Sequence, residues 1–118
     1  MADEKDWAFI RGLQSLGVNR NVARLITYLK DVENGSSRDI EMATGLRQPE
    51  VSIATQILSG MGWISEHEVK GNGKGRPLKI YALCATIEEI IEHYEVEKNQ
   101  ESARTIEAIQ KLKELSSA

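Results

Sequence analysis

At 118 residues, 41% of them apolar, the chain can form one small domain plus an extension and is too apolar to be disordered. No apolar run approaches the roughly 18 residues of a membrane span. The charged start, Met1 to Asp6, has no apolar signal stretch. A single cysteine, Cys84, allows no internal disulfide, and together these features predict a cytoplasmic protein. The net charge of −3 is unevenly spread: residues 1–85 carry eleven Lys/Arg against ten Asp/Glu, residues 86–118 carry four against eight, and residues 69–87 contain no acid.

Trp7, Ile10, Leu13 and Leu16 keep the beat of one helix face, which Gly17 ends. Asn19 is placed to cap a second helix reaching about Val32, with Val22, Leu25, Ile26 and Leu29 inward; Asn34-Gly35 stops it. Ser36 and Ser37 open a short helix, Arg38–Thr44, and Asp39 completes a loose capping box with Ser36. Ile40 and Ala43 are expected inward, Gly45 supplies a left-handed turn, and Leu46 plugs the angle to the next helix.

That next helix starts at Pro49, a favoured first-turn residue, and runs to about Ser59 before Gly60 and Gly62. Val51, Ala54 or Thr55, and Leu58 form its inward stripe; Gln48, Ser52, Ile53 and Gln56 point out. Trp63–Val69 and Leu78–Leu83 alternate like half-buried strands. The loop between them holds three glycines and, with its flanks, the cations Lys70, Lys74, Arg76 and Lys79.

From Thr86 a helical pattern runs through Ile87, Ile90, Ile91 and Tyr94 and resumes at Ile106, Ile109, Leu112 and Leu115. A helix of ~30 residues is ~45 Å long, and a domain of ~85 residues is only about 24 Å across. The polar stretch Glu97–Ser102 leaves two forms open, a break or a continuous helix exposed in the middle. Either way the apolar ends need a partner, most simply the same helix of a second chain through Ile87, Ile91, Tyr94, Ile109, Leu112 and Leu115.

The expected class is therefore α+β, mainly α. Helix, turn, helix, strand, basic glycine loop, strand is the order of a winged helix-turn-helix, here in residues 1–85, with a dimerisation helix in 86–118. Ile40-Glu-Met-Ala-Thr-Gly-Leu46, Val51-Ser52 through Leu58, Gly62-Trp-Ile64, and Gly75-Arg-Pro77 before Tyr81 together resemble winged-helix regulators over residues 9–83. The likeness is to the TrmB-like archaeal group and, more distantly, to the MarR and ArsR groups. It implies a dimeric, sequence-specific transcription regulator of double-stranded DNA.

On that reading the helix from Pro49 enters the major groove. Gln48 and Gln56 suit adenine edges, Ser52 a base or phosphate, Ile53 a thymine methyl, and Arg47 a phosphate or guanine. Arg38 would fix the docking register on phosphate, and Lys70, Lys74, Arg76 and Lys79 would meet backbone or minor groove. Glu50 would repel phosphate unless it accepts from a cytosine amino group or stabilises its own helix.

Other chemistries find little support. The Gly71-x-Gly-x-Gly75 loop joins two strands, whereas phosphate-cradling loops join a strand to a helix. Glu89 and His93 have i, i+4 spacing but no further ligand pair, so no metal or other cofactor is expected. Cys84 reads as a spacer, and no nucleophile–base pair points to an enzyme. The alternative is a winged-helix protein-interaction module of a transcription or replication assembly, which the acidic pI of 5.4 and Glu50 on the reading helix favour and the basic wing opposes. The sequence names no small-molecule effector.

Overall fold

The computed structural model describes residues 3–70 and 77–117. In chain order these form α1 (Glu4–Ser15), α2 (Arg20–Leu29), β1 (Gly35–Ser36), α3 (Ser37–Thr44), α4 (Gln48–Gly60), β2 (Ile64–Val69), β3 (Leu78–Leu83) and α5 (Ile87–Ser116). The strands make one antiparallel sheet in the order β1-β3-β2. The fold is mainly helical α+β, with two compact units, residues 1–86 and 87–118.

Side-chain caps set the helix starts. Asp3 accepts the Asp6 N–H at 2.9 Å and begins α1 three residues before Trp7. Asn19 Oδ1 takes the Asn21 and Val22 N–H groups at 2.8 and 3.4 Å, satisfying donors that have no partner within α2. Ser36 Oγ accepts the Asp39 N–H while Asp39 returns the bond to the Ser36 N–H, both at 3.1 Å, so the capping box is closed on both sides. Gly45 turns out of α3 at φ +74°, and Leu46 is buried behind it.

The core lies where α2 meets its neighbours. Val22, Leu25, Ile26 and Leu29 are buried together with Ile10 and Leu13 of α1, Ile40 of α3, and Val51 and Leu58 of α4. Trp7, expected on the inner face of α1, is instead 40% exposed, its ring 5.3 Å from the Arg24 guanidinium carbon. The α2 helix stops at Leu29, short of Val32, because the Asp31 N–H bonds the Tyr28 carbonyl at 3.3 Å and tightens the last turn.

Two differences concern the sheet. Gly35 and Ser36, expected only as a stop and a cap, pair with Tyr81 and Ile80 as β1. Gly35 is closely covered: a Cβ there would sit 3.0 Å from the Tyr28 ring, which would have to shift to admit it. The β2–β3 hairpin is not half-buried along its length. Only Ile64 and Tyr81 are buried, and Ser65–Val69 are exposed on both faces.

Within the second unit α5 is one unbroken helix of 30 residues. The polar stretch is carried by local pairs: Lys98 Nζ lies 3.2 Å from Glu101 and His93 Nε2 lies 3.6 Å from Glu97. Residues 99–117 are exposed throughout. No helix among the described residues is long and apolar enough to cross a membrane.

Candidate nucleic-acid interface

The α4 helix is held from its base. Arg47 is extended (φ −85°, ψ 160°) and Gln48 and Pro49 make the first turn. Glu50 Oε1 accepts the Arg47 N–H at 2.9 Å, and Glu50 Oε2 accepts from Asn21 Nδ2 at 3.4 Å. The carboxylate therefore caps its own helix and ties it to the start of α2, which gives its charge a role within the fold. Val51, Ala54, Thr55 and Leu58 are all buried, and the Thr55 hydroxyl donates to the Ser52 carbonyl at 3.0 Å. The two alternatives for the inward stripe, Ala54 and Thr55, are thus both inward.

That packing turns the other side of α4 out. Gln48 and Gln56 are exposed, Ser52 is half-buried, and Ile53 is 60% exposed. Arg47 is exposed at the N-cap and Arg38 in the first turn of α3. Lys70 is exposed just past β2, and Lys79 is exposed on β3 with Glu68 opposite it in the register. Arg38, Arg47, Lys70 and Lys79 make no ion pair among the described residues. Lys74 and Arg76 lie outside the described residues.

Sequence reading missed three exposed apolar side chains: Ile57 on α4, Met61 at its C-cap and Met42 on α3, the last 80% exposed. Ile57 had a usable signal. It falls one helical turn beyond Ile53, and once both Ala54 and Thr55 are inward the helix angle carries position 57 outward. A concavity of about 590 Å³ beside Met42 is lined by Trp7, Arg24, Tyr28 and Thr44 among others. There Arg24 reaches the Thr44 carbonyl at 3.4 Å, and its Nε is buried without a partner. No group of three or more metal-ligating side chains occurs among the described residues.

Of the expected dimer residues, Ile87 and Tyr94 are half-buried within the single chain; Ile91, Ile109, Leu112 and Leu115 are exposed.

No family model and no curated protein sequence matches the chain. Solved structures do. A transcriptional regulator is matched at 22% identity and TM-score 0.55, over 69% of this chain and 56% of its own. TrmBL2, described as an archaeal chromatin protein with a novel mode of DNA binding, is matched at 15% identity and TM-score 0.68, over 92% of this chain and 39% of its own. A MarR family regulator, NMB1585 from Neisseria meningitidis, is matched at 20% identity and TM-score 0.50, over 84% of this chain and 67% of its own. The chain thus spans roughly half the length or less of the first two. At these identities the likeness defines the fold alone: a winged helix of the kind found in TrmB-like and MarR-like transcription regulators.

Proposed function

We propose that the chain is a transcription regulator that binds double-stranded DNA sequence-specifically as a homodimer. One observation carries the reading. On α4, the second helix of a helix-turn-helix, Gln48, Ser52, Ile53 and Gln56 project from a helix whose opposite face is packed into the core. A helix presented that way fits the major groove. Arg38, Arg47, Lys70, Lys74, Arg76 and Lys79 supply phosphate contacts around it. Residues 86–118 pair two chains through Ile91, Ile109, Leu112 and Leu115, extended by Ile87 and Tyr94. The distal part of this long helix leaves Ile106, Ile109, Leu112 and Leu115 exposed.

The test is duplex binding measured against salt, beside sedimentation. With four to six phosphates met per half-site, two half-sites give a log–log salt slope of about −7 to −11. A dimer mass with a slope in that range supports the reading. A slope near zero, or no duplex binding, removes it.

The protein-interaction alternative draws on Met42 and Trp7, which leave apolar surface on the α1–α3 side of the domain. Glu50 no longer speaks for that alternative, since its carboxylate is engaged within the fold.

A further inference from the structure

We infer that α4 reads A·T base pairs, and that thymine 5-methyl groups supply part of its affinity through Ile53 and Ile57. The inference rests on the DNA-binding reading above and names the kind of site that reading would find.

The outward face of α4 has an unusual chemistry for a reading helix. Gln48–Gly60 contains no lysine, arginine or histidine. Its only charge is Glu50, which caps its own helix and bonds Asn21. A guanine edge is best met by a forked cation on its O6 and N7, and the body of this helix offers none. It offers amides and aliphatic carbon. A glutamine amide can donate to adenine N7 and accept from its N6, and an isoleucine can cover the thymine methyl of the same or the next pair. Both contacts select the same base pair.

The geometry places them together. At about 100° per residue, the buried stripe Val51, Ala54, Thr55 and Leu58 leaves Ile53 and Gln56 near the centre of the opposite face and Ile57 on its flank. Ile53 and Ile57 are 60% and 44% exposed. They stand about 6 Å apart along the axis, close to two base-pair steps of 3.4 Å. Gly60 follows on the same face, and no described atom lies within 4 Å of where its Cβ would be. A G·C pair opposite Ile53 or Ile57 would put the cytosine amino group, in place of a thymine methyl, against aliphatic carbon.

The test enriches duplexes from a random pool with the full chain. Thymines of the enriched sequence are then replaced by deoxyuridine, which removes the 5-methyl and leaves pairing unchanged. The expected core of each half-site is A·T-rich. The wild-type protein should lose about fourfold in affinity per contacted methyl. Ile53→Ala and Ile57→Ala should weaken binding to the thymine duplex and shrink its advantage over the deoxyuridine duplex. A G·C core, or equal binding of the two duplexes by the wild type, overturns the inference and leaves DNA binding standing. Equal losses on both duplexes for the alanine variants also overturn it, since the isoleucines would then serve the helix alone. If no duplex is enriched, the DNA-binding reading falls and takes this inference with it.

Discussion

The α2 and α5 helices keep the same apolar beat and meet opposite fates. In α2 the stripe is used up inside the chain: Leu25 and Ile26 are 0% exposed. In α5 the distal stripe stands in water, with Ile106 at 64%, Leu112 at 65% and Leu115 at 65%. A helix draws most of its stability from packing an amphipathic face, so the two stripes should carry different free energies. That of α2 belongs to folding, and on the proposed reading that of α5 serves association. The strongest test of this division is Leu25→Ala, which should lower unfolding free energy by about 2–5 kcal/mol in urea titrations at fixed protein concentration. A loss well under 1 kcal/mol would mean that the α2 stripe is not the centre of the core.

The counterpart is Leu112→Asp with Leu115→Asp. Both side chains are exposed in the single chain, so residues 3–70 should keep their amide spectrum. Sedimentation should instead show a monomer, with dimer affinity down at least about 100-fold, since each leucine is worth roughly 1.5–3 kcal/mol when covered. Unchanged mass would detach α5 from dimerisation and leave its apolar face to another partner.

The division also explains what could be read from sequence. The Asn19 cap, the Ser36–Asp39 box and the Gly45 turn each close within four residues, so the residue types suffice to foresee them. The β1 strand could not be foreseen, because Gly35 and Ser36 become a strand only through Tyr81 and Ile80, far along the chain. The second bond of Glu50 joins it to Asn21 across α3 and is equally non-local. The continuity of α5 was undecided because Glu97–Ser102 suits a polar helix face as well as a break; the Lys98–Glu101 pair shows how it is carried. At the candidate site, the outward set on α4 followed from its stripe. Exposure of Trp7 and Met42 depends on how α1 and α3 tilt, which periodicity does not encode.

Two glycines separate backbone need from packing need within the first unit. Gly45 sits at φ +74°, and an added Cβ would meet nothing within 4 Å, so Gly45→Ala carries backbone strain alone. Its cost should be about 1–2 kcal/mol in thermal or urea unfolding. Gly60 ends α4 without a positive φ and with equal room, so Gly60→Ala should stabilise by about 0.5–1 kcal/mol or less. The opposite signs are the check. If both destabilise, the end of α4 is under a constraint that its surroundings do not reveal.

The smallest expected effect probes how tightly α2 is packed. Burial of Tyr28, and secondarily the negative charge of Asp39, raise its phenol above the ordinary value of 10.0. The folded state thus holds this proton more firmly than the unfolded chain does. Its contribution to stability is fully present below pH 10.0 and is lost as pH rises through the higher folded value. Tyr28→Phe should flatten the alkaline limb of the stability profile while leaving neutral pH nearly unchanged. Asp39→Asn should move the Tyr28 titration only part of the way back, because burial is the larger cause. It should also weaken the α3 cap, since Asp39 accepts the Ser36 N–H. Ultraviolet titration of the phenolate in these variants separates the two causes. If Tyr28 titrates at 10.0 or below, the contact of its ring with Gly35 is open to water, and the α2–β1 junction is looser than the rest of the core.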